Sequence, residues 1–135
     1  MTPEKKIENQ IRKNIQSLHG WETKIFAAPQ TNKGIPDIIG VLNNKFIAIE
    51  VKRPTGGKPT PVQLKTLQKI ANAGGIAVVS NDPNIAIYIY NNQLAQESIK
   101  PITIDIDNIT PNQATKLWNF SKEPHTLLIR KESSL

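Results

Sequence analysis

Apolar residues recur every three or four positions from Thr2 to Leu18, at Ile7, Ile11, Ile15 and Leu18, which predicts one amphipathic helix. Thr2 followed by Pro3 is a start signal, because the hydroxyl can accept from an orphan amide and proline at the first turn sacrifices none. Gly20 is the expected stop. WETKIFAA, from Trp21 to Ala28, reads as a strand, and PQTNKGIP after it as a loop broken by prolines and Gly34. Two β-rich runs follow, DIIGVL and KFIAIEVK, joined by Asn43 and Asn44 in what reads as a two-residue hairpin turn. Both runs are apolar at almost every position, so the sheet is expected to be covered on two faces. RPTGGKP is a basic loop. Beyond it Thr60, Pro61 and Gln63 open a helix, PVQLKTLQKIANA, that turns Leu64, Leu67, Ile70 and Ala71 inward and stops at Gly74 and Gly75. GIAVVS is a buried strand, which makes the preceding helix a crossover and part of the sheet parallel. IAIYIY and ITIDI read as strands, Thr110 to Phe120 as a helix with the same Thr-Pro-x-Gln opening, and HTLLIR as a last strand.

The chain of 135 residues has length for one core, and the pattern predicts a single α/β domain. Without cysteine there is no disulfide framework and no thiolate metal site. No apolar run reaches membrane-spanning length and the N-terminus lacks a secretory signal, so a cytoplasmic protein is expected. Seventeen Lys and Arg against eleven Asp and Glu, a formal charge of +6, favour a polyanionic partner.

The hairpin supplies the chemistry. With Asn43 and Asn44 as the turn, facing residues have numbers that sum to 87, so Asp37 faces Glu50. Like charges opposed on neighbouring strands destabilise a sheet, and a divalent cation compensates. Two hard carboxylates suit magnesium, which fills its remaining positions with water and substrate oxygens. Lys52, two residues beyond Glu50, shares its face and can hold a water for in-line attack or stabilise a pentacoordinate phosphorus. Lys33, Arg53 and Lys58 lie in loops around this point and are expected to contact phosphates, with no base-reading element evident. There is no Walker-type loop, no H-E-x-x-H helix and no G-x-S-x-G elbow. His19 and His125 stand far from the acids in sequence and read as helix-end and strand-end residues. Trp21, Trp118, Tyr88 and Tyr90 read as core or interface residues.

Glu8, Gly34-Ile-Pro-Asp37, Ile49-Glu50-Val51-Lys52-Arg53, Thr60-x-x-Gln63 and Gly74-Gly75-Ile-Ala-Val-Val79 together resemble the PD-(D/E)xK nuclease superfamily, and within it the VRR-NUC branch. The resemblance spans about residues 4 to 80 and implies a restriction-endonuclease-like mixed sheet flanked by helices. It further implies an Mg2+- or Mn2+-dependent endonuclease for DNA, of the Holliday-junction-resolvase kind or acting on flaps, working as a homodimer. By that resemblance Asp37, Glu50 and the Val51 carbonyl ligand the metal, Glu8 reaches it through water, Lys52 positions the nucleophile and Gln63 supports the site. Glu4 competes with Glu8, and periodicity does not separate them. Gln63 also fits a plain capping box, as does Gln113, where no chemistry is inferred. Residues 1–90 would form the nuclease core and 91–135 an extension packed on it and available as a dimer surface. The competing class is a catalytically silent binding module, and RNA is an alternative substrate.

Overall fold

A computed structural model describes residues 1–26, 34–94, 99–102, 105–118 and 124–133. The chain runs α1 (Pro3–Ser17), β1 (Trp21–Lys24), β2 (Ile38–Leu42), β3 (Lys45–Val51), α2 (Pro61–Asn72), β4 (Ile76–Ser80), α3 (Ile85–Tyr90), β5 (Ile99–Ile102), α4 (Pro111–Trp118) and β6 (Thr126–Ile129). Six strands form one mixed sheet in the order β1-β2-β3-β4-β6-β5. The β3–β4 and β5–β6 pairs are parallel and the other three antiparallel. No helix among the described residues is long and apolar enough to cross a membrane.

The hairpin register follows from its turn. Asn43 and Asn44 both take positive φ, 51° and 66°, which is the type I′ geometry whose twist matches paired strands. Leu42 therefore opposes Lys45 and Ile38 opposes Ile49. β1 joins antiparallel on the other side of β2, with Lys24 opposite Ile38. That approach is close: a Cβ at Gly40 would collide with the Trp21 carbonyl oxygen, so only glycine admits the strand there.

Helices cover the two faces. Ile7, Ile11 and Ile15 of α1 pack with Ile38, Leu42, Ile47, Ile49 and Val51, joined by Ile85 and Ile89 of α3. On the other face Leu64, Leu67 and Ala71 of α2 pack on Ala48, Ala77 and Val79, with Ala114 and Trp118 of α4 completing the layer. The β3–α2–β4 unit is thus the parallel crossover expected from the sequence.

Several expectations are corrected. IAIYIY is a helix, because Ile85, Ala86 and Ile89 are the buried positions and share one helical face, so packing overrides a β-rich composition. α1 stops before Gly20: the Leu18 amide bonds to Asn14, and His19, at φ 63°, takes the left-handed position. Gly20 is instead a packing glycine, since a Cβ would press on Ile15 and Leu42. The strand read in ITIDI lies earlier, at Ile99–Ile102, and Asp105 turns the chain by accepting from the Asp107 amide. The first strand ends at Lys24, its expected end at 27–28 lying outside the described residues. Nor is the sheet covered everywhere. Trp21, Val41 and Phe46 form one cross-strand row on the α2 face and stay exposed, so Trp21 is not a core residue.

Candidate active site

The site forms where β2 begins and β3 ends. Asp37 is the residue before β2, with its carbonyl accepting from the Ile25 amide at 2.8 Å, and its Oδ2 accepting from the Val51 amide at 2.8 Å. It therefore lies across from Glu50, continuing the register of the ladder. Glu50 is buried at 3 % exposure. Its Oε2 meets the Lys52 ammonium at 3.1 Å, while Oε1 has no hydrogen-bond partner among the described residues. A buried carboxylate oxygen left without a partner costs free energy unless a proton or a cation takes the position.

The electrostatics agree with that reading. Burial first, and the Asp37 charge second, push the Glu50 carboxyl up to about 8. Burial raises Asp37 as well, opposed by the Val51 amide and by the Lys52 charge. Two acids are thus held together with a single ammonium between them, short of one positive charge.

Lys52 is fixed from three sides. Its amide extends the parallel ladder to the Ser80 carbonyl at 2.9 Å, and its Nζ touches both Glu50 and Gln63 Oε1, the latter at 3.1 Å. Gln63 does two jobs. Its Oε1 also accepts from the Thr60 amide at 2.9 Å while Thr60 Oγ1 accepts from the Gln63 amide, a complete capping box at the start of α2. Thr110 and Gln113 repeat the box at α4 with the same geometry. Capping and contact with the site lysine are therefore compatible, and only Gln63 combines them.

Two acids of α1 approach the same end. Glu8 is buried and its Oε2 meets Lys5 at 2.9 Å and Lys24 at 3.0 Å. Burial alone would raise it, but the two ammonium groups outweigh burial and hold it below the usual carboxylate range. Glu4, one turn earlier, is raised by burial and then by the Asp37 charge, with Lys52 and Arg53 opposing. Both acids are thus coupled to the site through space, Glu8 as a neutralised and anchored group, Glu4 as one facing Asp37, Lys52 and Arg53. Lys5 stands at helical i,i+3 spacing from Glu8, but Lys24 was not evident in sequence as its partner, because it lies on β1.

Arg53 donates from Nη2 to the Gly56 carbonyl at 3.1 Å, which folds the basic loop on itself, and Lys58 is exposed beyond it. Lys33 lies outside the described residues. The loop is tied down by residues that sequence reading passed over. Asn81, buried after β4, donates to the Pro54 carbonyl at 3.4 Å and accepts from the His125 amide at 2.7 Å. Ser80 and Thr126 share a hydrogen bond at 2.7 Å beside it, and the His125 ring packs on Trp118 with centroids 4.2 Å apart. Such polar residues at strand ends carry no periodicity, so only the folded sheet brings them together.

Asp37 and Glu50 fit a divalent cation: two hard oxygen donors converge, and one is buried with an unfilled position. Among the described residues no third His, Cys, Asp or Glu joins them as a direct ligand group. Magnesium commonly takes one or two carboxylates and leaves the rest to water and substrate, so two suffice.

No protein-family model matches the chain, and no curated protein does. Among solved structures, one described as a VRR_NUC domain superposes with a TM-score of 0.57 at 21% identity, covering 67% of this chain and 97% of that one. The fold is therefore that of the VRR_NUC domain, as the sequence resemblance implied.

Proposed function

We propose that the chain is a divalent-metal-dependent endonuclease that hydrolyses DNA phosphodiesters, with branched DNA such as four-way junctions or flaps as its substrate. The observation that carries this reading is the pairing of Asp37 with a buried Glu50 whose Oε1 is unpartnered among the described residues, beside an ammonium held by Gln63. A nuclease-type fold and a formal charge of +6 agree with it.

Asp37, Glu50 and the Val51 carbonyl would hold Mg2+ or Mn2+, with Glu8 or Glu4 reaching it through water. When bound, the ion neutralises the two acids and stabilises charge developing on the transferred phosphoryl group. Lys52 orients the attacking water through its Nζ. That water adds to phosphorus, its proton leaves to solvent, and the phosphorus–oxygen bond to the departing nucleotide breaks as that oxygen gains a proton. Gln63 keeps the ammonium aimed at the site instead of folded fully onto Glu50. Arg53 and Lys58 supply phosphate contacts from the adjoining loop, and Lys33 is assigned the same part. A four-way junction has two-fold symmetry and needs paired incisions, so the working unit is a homodimer.

The test is cleavage of labelled junction, flap, single-stranded and linear DNA, and of RNA, with Mg2+, Mn2+ or chelator. Cleavage that needs the metal and disappears in Asp37→Ala and Lys52→Ala is the expected result. Binding without cleavage, unaffected by either substitution, would identify a silent binding module instead, and cleavage of RNA alone would reassign the substrate.

A further inference from the structure

A second polar site lies at the opposite end of the sheet. A cavity of about 540 Å³ opens where β3 and β4 begin and β6 ends. Ile76, Leu94 and Leu128 line it together with Asn92, and Lys45, Arg130 and Lys131 supply positive charge. Among the described residues no acidic side chain lines it. None of the three cations is in an ion pair among the described residues, although Lys5, Arg12, Lys24 and Lys52 all are. The acid nearest in sequence is drawn away: Glu132 bonds to Asn72 of α2 through both its amide, at 2.9 Å, and its carboxylate, at 3.3 Å.

Three like charges around one concavity repel one another, and an anion relieves the repulsion. Cations beside aliphatic side chains suit a sugar–phosphate backbone, whose charged and apolar parts alternate. Among the described residues no aromatic ring lines the cavity to stack a base and no acid lines it to accept from one, so readout there would be independent of sequence. Lys45 opens the strand on which Glu50 stands five residues later, so the cavity lies roughly 17 Å from the acid pair at about 3.3 Å per residue. A second stretch of the same polynucleotide is within reach.

We infer that the cavity lined by Lys45, Arg130 and Lys131 binds the phosphodiester backbone of a nucleic-acid arm that does not enter the catalytic site. The choice of a polynucleotide rests on the nuclease reading; the cation cluster does not. Binding there favours substrates long enough to reach both ends of the sheet over fragments shorter than about five base pairs, at about 3.4 Å per base pair.

Fluorescence anisotropy in chelator, from about 50 to 200 mM salt, reads the site without catalysis. The probes are a labelled four-way junction, a labelled duplex of about 12 base pairs, and adenosine monophosphate as competitor. The triple variant Lys45→Ala, Arg130→Ala, Lys131→Ala should bind the junction at least about tenfold more weakly, with a salt slope smaller by about 2, and the duplex, whose roughly 41 Å also reach both sites, should weaken in the same way. Lys131→Glu alone should show part of the effect, and an unchanged melting temperature certifies both folds. Unchanged junction affinity and slope in the triple variant would overturn the inference. So would tight nucleotide binding that the triple variant loses while it keeps the junction, which would make the cavity a free-nucleotide site. The nuclease reading stands or falls separately, on cleavage and on Asp37→Ala.

Discussion

Gln63 is the residue at which stability and chemistry can be separated, because the fold contains its own control. Gln63 and Gln113 close the same capping box, yet only Gln63 also accepts from a lysine. Replacing either by alanine should cost a similar ~1 kcal/mol of stability, as loss of capping interactions typically does. Only Gln63→Ala should also reduce cleavage, by tenfold or more in kcat. Thermal denaturation and single-turnover kinetics on the two variants check this, and equal loss of activity in both would reduce Gln63 to a cap. At this scale much was legible: Asp37, Glu50 and Lys52 were located by counting from a turn. What stayed hidden was contact between distant segments, such as Lys24 on Glu8 or Asn81 on the Pro54 carbonyl, since neither leaves a spacing in the chain.

At the scale of elements the Asn43–Asn44 turn sets the site, because it alone fixes which residue opposes Glu50. Asparagine tolerates positive φ, but glycine at the second position suits a type I′ turn better. Asn44→Gly should therefore stabilise the protein by about 0.5 kcal/mol and leave activity intact, and Asn44→Val should destabilise it by about 1–2 kcal/mol. Chemical denaturation midpoints measure both. A destabilising glycine would mean that the Asn44 side chain supplies more than its backbone. The helices and strands with strong periodicity were readable in the sequence for the same local reasons. α3 was not, because its six residues are β-rich in composition and only its place over Ile38 and Leu42 makes it a helix. Turn-forming asparagines are informative; short apolar runs are ambiguous.

For the whole molecule, the unneutralised acid pair links folding to pH and to metal. Burial, then the Asp37 charge, pushes the folded Glu50 carboxyl up to about 8 from its ordinary 4.5, so between these values the unfolded chain has lost a proton that the folded chain keeps. Metal-free stability should accordingly fall as pH rises from about 4.5 to about 8, by at most about 5 kcal/mol from this group. Asp37 acts in the same direction. Glu50→Gln should flatten the profile and raise the melting temperature at pH 8. Mg2+ should raise it in the parent protein more at pH 8 than at pH 6, since the cation competes with the retained proton. Melting curves across pH with and without Mg2+ decide the point, and a metal-free profile that rises over this range would show that the pair is compensated some other way.

The strand order carries one more consequence. β6, the last described strand to leave a ribosome, fits between β4 and β5, so an interior slot of the sheet stays vacant until residues 126–129 emerge. Until then Val78 and Val79 border a bare edge of unpaired amides, the kind of surface that captures foreign strands. Synthesis of the β2–β3 hairpin is finished some seventy-five residues before that gap can close. Nascent chains should therefore depend on chaperones late in translation, and products truncated before β6 should aggregate instead of merely losing activity.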